Sequence, residues 1–161
     1  MDFYGLLKSL GYTGDKEYFE NSFVLRPEYV ASSNTLILPV TNEKPFPYSV
    51  HEDIRKIMGE SLGMDIDLRV KTEISHIAAS EVRLYISNYE ANHPSGKIPG
   101  IYPQETEKEN LLVIPDYDEE DDLPELKGYI TCLEHAGIHA SPKFVPRQRN
   151  FVQEKTEENT A

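Results

Sequence analysis

Residues 45–70, PFPYSVHEDIRKIMGESLGMDIDLRV, decide the fold. Pro45-Phe46-Pro47 is a stiff entry, because each proline ring fixes its own φ. Ser49 followed three residues later by Glu52 has the spacing of a capping box. Val50, Ile54, Ile57, Met58 and Leu62 then recur at steps of three and four until Gly63 supplies the stop, so the stretch predicts an amphipathic helix. Ile66, Leu68 and Val70 next alternate with Asp67, Arg69 and Lys71, the period of a strand with one face buried and one wet.

Toward the N-terminus, Asp2 is an N-cap ahead of Phe3, Leu6, Leu7 and Leu10, with a further turn over 15–20 after Gly11 and Gly14. Phe23 to Val30 and Thr35 to Val40 are apolar, β-branched stretches around the turn Ala31-Ser32-Ser33-Asn34, which predicts a hairpin. Pro27 and Pro39 each remove a ladder donor and belong at edges or bulges. Downstream, Ile74, Ile77, Ala78, Val82, Tyr85, Ile86 and Tyr89 predict a second amphipathic helix ending before Pro94. The expected fold class is therefore α+β: a small three-stranded sheet with helices packed on one face.

The charge map sets the expected domains. Residues 1–90 hold 9 basic and 14 acidic groups, 91–125 hold 2 and 10, and 126–161 hold 5 and 4, within a total of −12. Residues 1–90 are read as the interaction domain. Residues 91–121, with the punctuation HPSGKIPGIYP and an acidic run around Leu111 to Ile114, are read as a linker, part of it disordered. Residues 122–161 are read as a helix from about Leu123 to Ala136, with Asp122 and Glu125 as a second capping box, and a polar tail. No repeat is visible at periods of 20–50 residues.

A net charge of −12 opposes binding to nucleic-acid phosphates or an anionic membrane, and the lone Cys132 can form no internal disulfide. No apolar run approaches the roughly 20 residues of a membrane span and the N-terminus lacks the basic start of a secretory signal, so a cytoplasmic location is expected. Cys132, His135 and His139 have a metal-like spacing, but a fourth ligand is missing and Gly137 interrupts the helix between the histidines; a buried cysteine with surface histidines is the simpler reading. Asp116, Asp118 and Glu120 match the start of a calcium loop, yet Asp121 stands where that loop needs glycine and Lys127 where it needs glutamate. No nucleophile elbow or phosphate loop is present in the sequence, and no cofactor is expected.

The opening DFYGLLKSLG, the segments EYFENSFV and NTLILPV, the lead-in and helix KPFPYSVHEDIRKIM and the strand DIDLRV resemble the N-terminal region of the PolC-type DNA polymerase III alpha subunit. The resemblance covers residues 1 to about 90. It implies a small α/β module of KH-like character, lying ahead of the catalytic segments of a replicative polymerase, that makes protein contacts within the replisome, with a clamp-loader subunit as an expected partner.

The expected function is that of a non-catalytic docking module for such a polymerase. Phe46, Tyr48, His51, Arg55 and Lys56 form the expected partner surface, since aromatic groups beside cations are common anchors; the competing reading is that Phe46 and Tyr48 only staple the helix to the sheet. The alternatives are a single-stranded nucleic-acid module using Arg69, Lys71, Lys143, Arg147 and Arg149, and an acidic adaptor that mimics DNA.

Overall fold

The computed structural model describes residues 1–147. Its elements are α1 (Phe3–Ser9), β1 (Glu28–Val30), β2 (Thr35–Asn42), α2 (Tyr48–Leu62), β3 (Asp65–Thr72), α3 (Ala79–Asn92), β4 (Tyr102–Glu105), β5 (Asn110–Pro115), α4 (Glu125–His135) and β6 (Ala140–Val145). They make an α+β fold with two three-stranded sheets, ordered β1-β2-β3 and β4-β5-β6. In each sheet the first pair is antiparallel and the second parallel, joined by a crossover helix, α2 or α4.

The two halves thus share one order of elements. Thr35 and Asn110, which open β2 and β5, stand 75 residues apart, as do Asp65 and Ala140, which open β3 and β6. Each crossover helix starts behind a proline, Pro47 or Pro124, and is followed by a glycine in the left-handed region, Gly63 (φ 68°) or Gly137 (φ 83°). This 75-residue period lies above the 20–50 residues at which the sequence shows no repeat.

The first half follows the sequence closely. Asp2 caps α1 by accepting from the Gly5 N–H (2.8 Å), and Phe3 and Leu7 enter a core with Leu38, Val40, Phe46, Ile54, Met58, Ile66, Leu68 and Val70. Pro39 lies in the middle strand of its sheet, but beyond the three residues that β1 pairs. There only Leu25 N–H to Pro39 O (2.9 Å) and Thr41 N–H to Phe23 O (2.8 Å) bridge across, so no regular ladder needs the missing donor.

Neither capping box forms. Helix α2 begins one residue before Ser49, and the Tyr48 N–H is met by Glu81 Oε2 of α3 (2.8 Å), while Glu52 turns to Arg55 Nη1 (2.7 Å). Helix α4 begins behind Pro124 with no side-chain cap. Helix α3 starts at Ala79, later than the stripe from Ile74 suggests, because the buried Asn110 claims the Ile77 backbone on both sides: Ile77 N–H to Oδ1 (3.1 Å) and Nδ2 to Ile77 O (2.7 Å).

The expected linker is corrected: β4 and β5 lie inside 91–121, and Ile98, Ile101, Leu112 and Ile114 enter a second core with Val82, Tyr85, Ile86, Tyr129 and Leu133. The acids mask this strand in the charge count because they flank it rather than interrupt it. The expected C-terminal segment is corrected too, since α4 is followed by β6, which pairs with β5.

Candidate groove at the junction of the two halves

The halves meet through short polar links. Tyr85 Oη donates to Phe46 O (2.7 Å), Thr72 Oγ1 to Gly137 O (2.7 Å), and the His139 N–H to Ser75 O (3.2 Å). These links leave a groove of about 870 Å³ between α2, β3, α3 and α4. That size falls within the roughly 300–1,000 Å³ of ligand sites.

Tyr48, His51 and Arg55 reach the groove from α2, where their spacing of three and four residues puts them on one face. Helix α3 supplies Tyr85, Asn88 and Tyr89, and α4 supplies Lys127, Cys132 and His135. Tyr48 packs edge-on to Tyr85 (5.1 Å between centroids), and Tyr89 tilts against Tyr129 (4.8 Å) and stacks on His93 (4.2 Å). Tyr89 packs over Gly128, where a Cβ would overlap the Tyr89 hydroxyl oxygen.

The electrostatics favour hydrogen bonding over bond making. Burial pushes the Cys132 thiol up to about 11, against the lowering pull of Arg55, so it carries its proton at neutral pH and is no activated nucleophile. Burial also holds Tyr85 protonated far above its ordinary value, with Glu81 reinforcing it, and raises Tyr48 and Tyr89. His135 is held below its usual value by burial and then by Arg69. Glu52 is held below the carboxylate range by the adjacent His51 and by Arg55, outweighing its burial. The His51 Nδ1 to Glu52 Oε1 separation is 3.9 Å, too long for a hydrogen bond, which leaves Nδ1 buried and without a hydrogen-bond partner among the described residues.

Of the expected partner surface, Tyr48, His51 and Arg55 come together in this groove. Lys56 is exposed on the next stretch of surface, beside Gly59 and Glu60. Phe46 is corrected: its ring is wholly buried among Phe3 and Phe19 and is not available to a partner.

The nucleic-acid set is dispersed. Arg69 on β3 pairs with Asp67 (3.0 Å), and Lys71 is exposed further along the strand. Lys143 is exposed on β6 in the other sheet, and Arg147 stands 3.8 Å from Asp116. Arg149 lies outside the described residues. Cys132 and His135 share the groove, but His139 follows the turn at Gly137 and sits by Ser141 Oγ (3.5 Å); among the described residues no three potential ligands gather around a metal site.

The sequence reading missed Tyr85, Tyr89 and Lys127. Tyr85 and Tyr89, four apart on α3, looked like core, and nothing local tells that the next half folds back to leave a channel beside them. Among the described residues no helix is long and apolar enough to cross a membrane. Compared with family models, curated proteins and solved structures, the chain finds no match.

Proposed function

We propose that the chain is a non-catalytic docking module acting in the cytoplasm, of the kind its resemblance to the PolC-type N-terminal region implies, and that it holds a replisome protein such as a clamp-loader subunit in the groove between its halves. The observation that carries the proposal is the pairing of charge around the groove: Arg55, which lines it, is engaged by Glu52 (2.7 Å), and Arg69, next to it on β3, by Asp67 (3.0 Å), beside three tyrosines, which leaves Lys127 as the one lining Lys or Arg without an ion pair among the described residues. Nucleic acid demands unpaired cations along a path, whereas protein partners use aromatic anchors with few unpaired charges. The protonated Cys132 thiol and the Tyr48 and Tyr89 phenols supply donors for such a contact, the Tyr85 hydroxyl being engaged by Phe46 O.

The test is calorimetric titration of purified clamp-loader subunits into the full chain, beside titration of a single-stranded oligonucleotide at physiological salt. Protein binding weakened about tenfold or more by Arg55→Glu or Tyr89→Ala, with no oligonucleotide binding, is expected. Salt-sensitive oligonucleotide binding with no heat from any subunit overturns the reading in favour of the nucleic-acid alternative.

A further inference from the structure

Strand β3 forms one wall of the groove and is also an edge of its sheet. Edge strands offer unpaired main-chain groups, and natural proteins commonly blunt them by shortness or proline. Three of the four edges here are blunted in that way. Strand β1 has three residues and follows Pro27, β4 contains Pro103, and β6 contains Pro142. Strand β3 has eight residues and no proline.

Which of its groups face outward follows from the ladder. The Asp65 N–H donates toward β2, to Asn34 O (3.0 Å), so by alternation the main-chain groups of Ile66, Leu68 and Val70 face the edge. Two of these positions are closed by the protein itself: Arg55 Nε donates to Ile66 O (3.1 Å), and Gly137 packs close over Val70 O. Between them lies Leu68, a groove residue whose outward N–H and C=O meet no partner among the described residues. Buried main-chain groups are rarely left unpaired, and a bound strand supplies one acceptor and one donor at this spacing.

We propose that the groove takes an extended segment of a protein partner as an added strand on β3, bonded to the Leu68 main chain, with an apolar side chain in the recess of Tyr48, Tyr85 and Tyr89. The chemistry of the segment follows from the groove mouth. Pro124 lines that mouth, and the exposed run Asp118 to Asp122 leads directly to it, five consecutive carboxylates. The matching segment is apolar at its centre and carries Lys or Arg on the flank that lies along this run; the net charge of −12 draws such a partner in. The inference rests on the docking reading and adds how the partner is held.

The experiment is selection of peptides from a random displayed library on the full chain, followed by affinity measurement, amide hydrogen exchange and backbone N-methylation of the selected peptides. Apolar-basic peptides are expected. They slow exchange at Leu68, lose at least tenfold in affinity when alternate amides on one side are methylated but not on the other, and weaken with salt. Thr131→Trp, which fills the groove from α4, removes binding, and Glu119→Lys with Glu120→Lys removes the preference for the basic flank. The methylation arm uses the unmodified protein, so it stands even where Thr131→Trp fails to fold.

No selectable peptide, binding indifferent to methylation side, or unchanged exchange at Leu68 overturns the proposal. Edge binding by peptides with silent clamp-loader titrations sinks the replisome partner and leaves the strand addition. Clamp-loader binding without protection at Leu68 does the reverse.

Discussion

Tyr85→Phe tests whether the two halves are held as described. The ring stays where it is, 4% exposed and edge-on to Tyr48, and only the hydroxyl that donates to Phe46 O at 2.7 Å is removed. The Phe46 carbonyl then has no donor in a buried site, and leaving such a group unpaired costs about 1–3 kcal/mol. At about 2–4 °C per kcal/mol for a chain of this size, the melting temperature falls by roughly 4–8 °C for a 2 kcal/mol loss. Urea and thermal unfolding followed by far-ultraviolet circular dichroism give both numbers. The pH dependence adds a sign. Burial and then Glu81 raise the Tyr85 pKa above the ordinary 10.0, so its contribution is complete below pH 10 and is lost as pH rises further, when the unfolded chain ionises first. The variant has no such group, so the gap between wild type and variant narrows above pH 10. A gap under about 0.5 kcal/mol at neutral pH, or one that does not narrow, refutes the account of the junction.

Other expectations follow from single contacts. Gly137→Ala combines a left-handed φ of 83° with a Cβ 2.6 Å from Thr72 Cγ2, whereas Gly63→Ala at φ 68° meets open space; unfolding midpoints should show about 1 kcal/mol lost at Gly63 and clearly more at Gly137. Asn110→Ala strips both partners from the Ile77 backbone and should cost about 2 kcal/mol or more in urea unfolding, while an exposed control such as Lys108→Ala stays within about 0.5 kcal/mol. At pH 8 the Cys132 thiol, raised from 9.0 to about 11, should react with a disulfide reagent at least about 100-fold more slowly in the folded chain than in urea, and Cys132→Ala should remove a loss of stability that sets in as pH climbs from 9.0 toward 11.

The first half was legible because its signals are local. Asp2, the stripe from Val50 to Met58, the stop at Gly63 and the alternation through Val70 all survive in the structure, whereas Leu62 at the end of the stripe is exposed. What failed there was a local rule beaten by a distant group: Ser49 and Glu52 are spaced to cap α2, but Glu81 arrives from another helix to take the Tyr48 N–H. The second half was misread because its strands are short and flanked by acid. Strand β4 contributes four residues, with only Pro103 buried, so its hydrophobic pattern carries almost no information until β5 pairs with it. The groove was half legible: the α2 residues share a helical face, but the α3 and α4 walls depend on packing between halves.

The shared topology explains why the groove exists where it does. Each half ends in a parallel strand after a crossover helix and a left-handed glycine, so each presents an equivalent edge, β3 in the first and β6 in the second. The two edges differ in sequence. At β6 the ladder contact of Asp116 N–H with Val145 O (2.7 Å) turns odd residues toward β5, which places Pro142 on the outer side, where it offers no donor. At β3 no outward-facing position holds a proline, and the edge is guarded instead by Arg55 and by the end of α4. A proline is a permanent block, whereas a partly exposed arginine side chain can turn aside. An edge guarded on one side by a side chain that can turn aside, beside a recess of tyrosines, leaves an opening at Leu68 that Pro142 does not leave at β6.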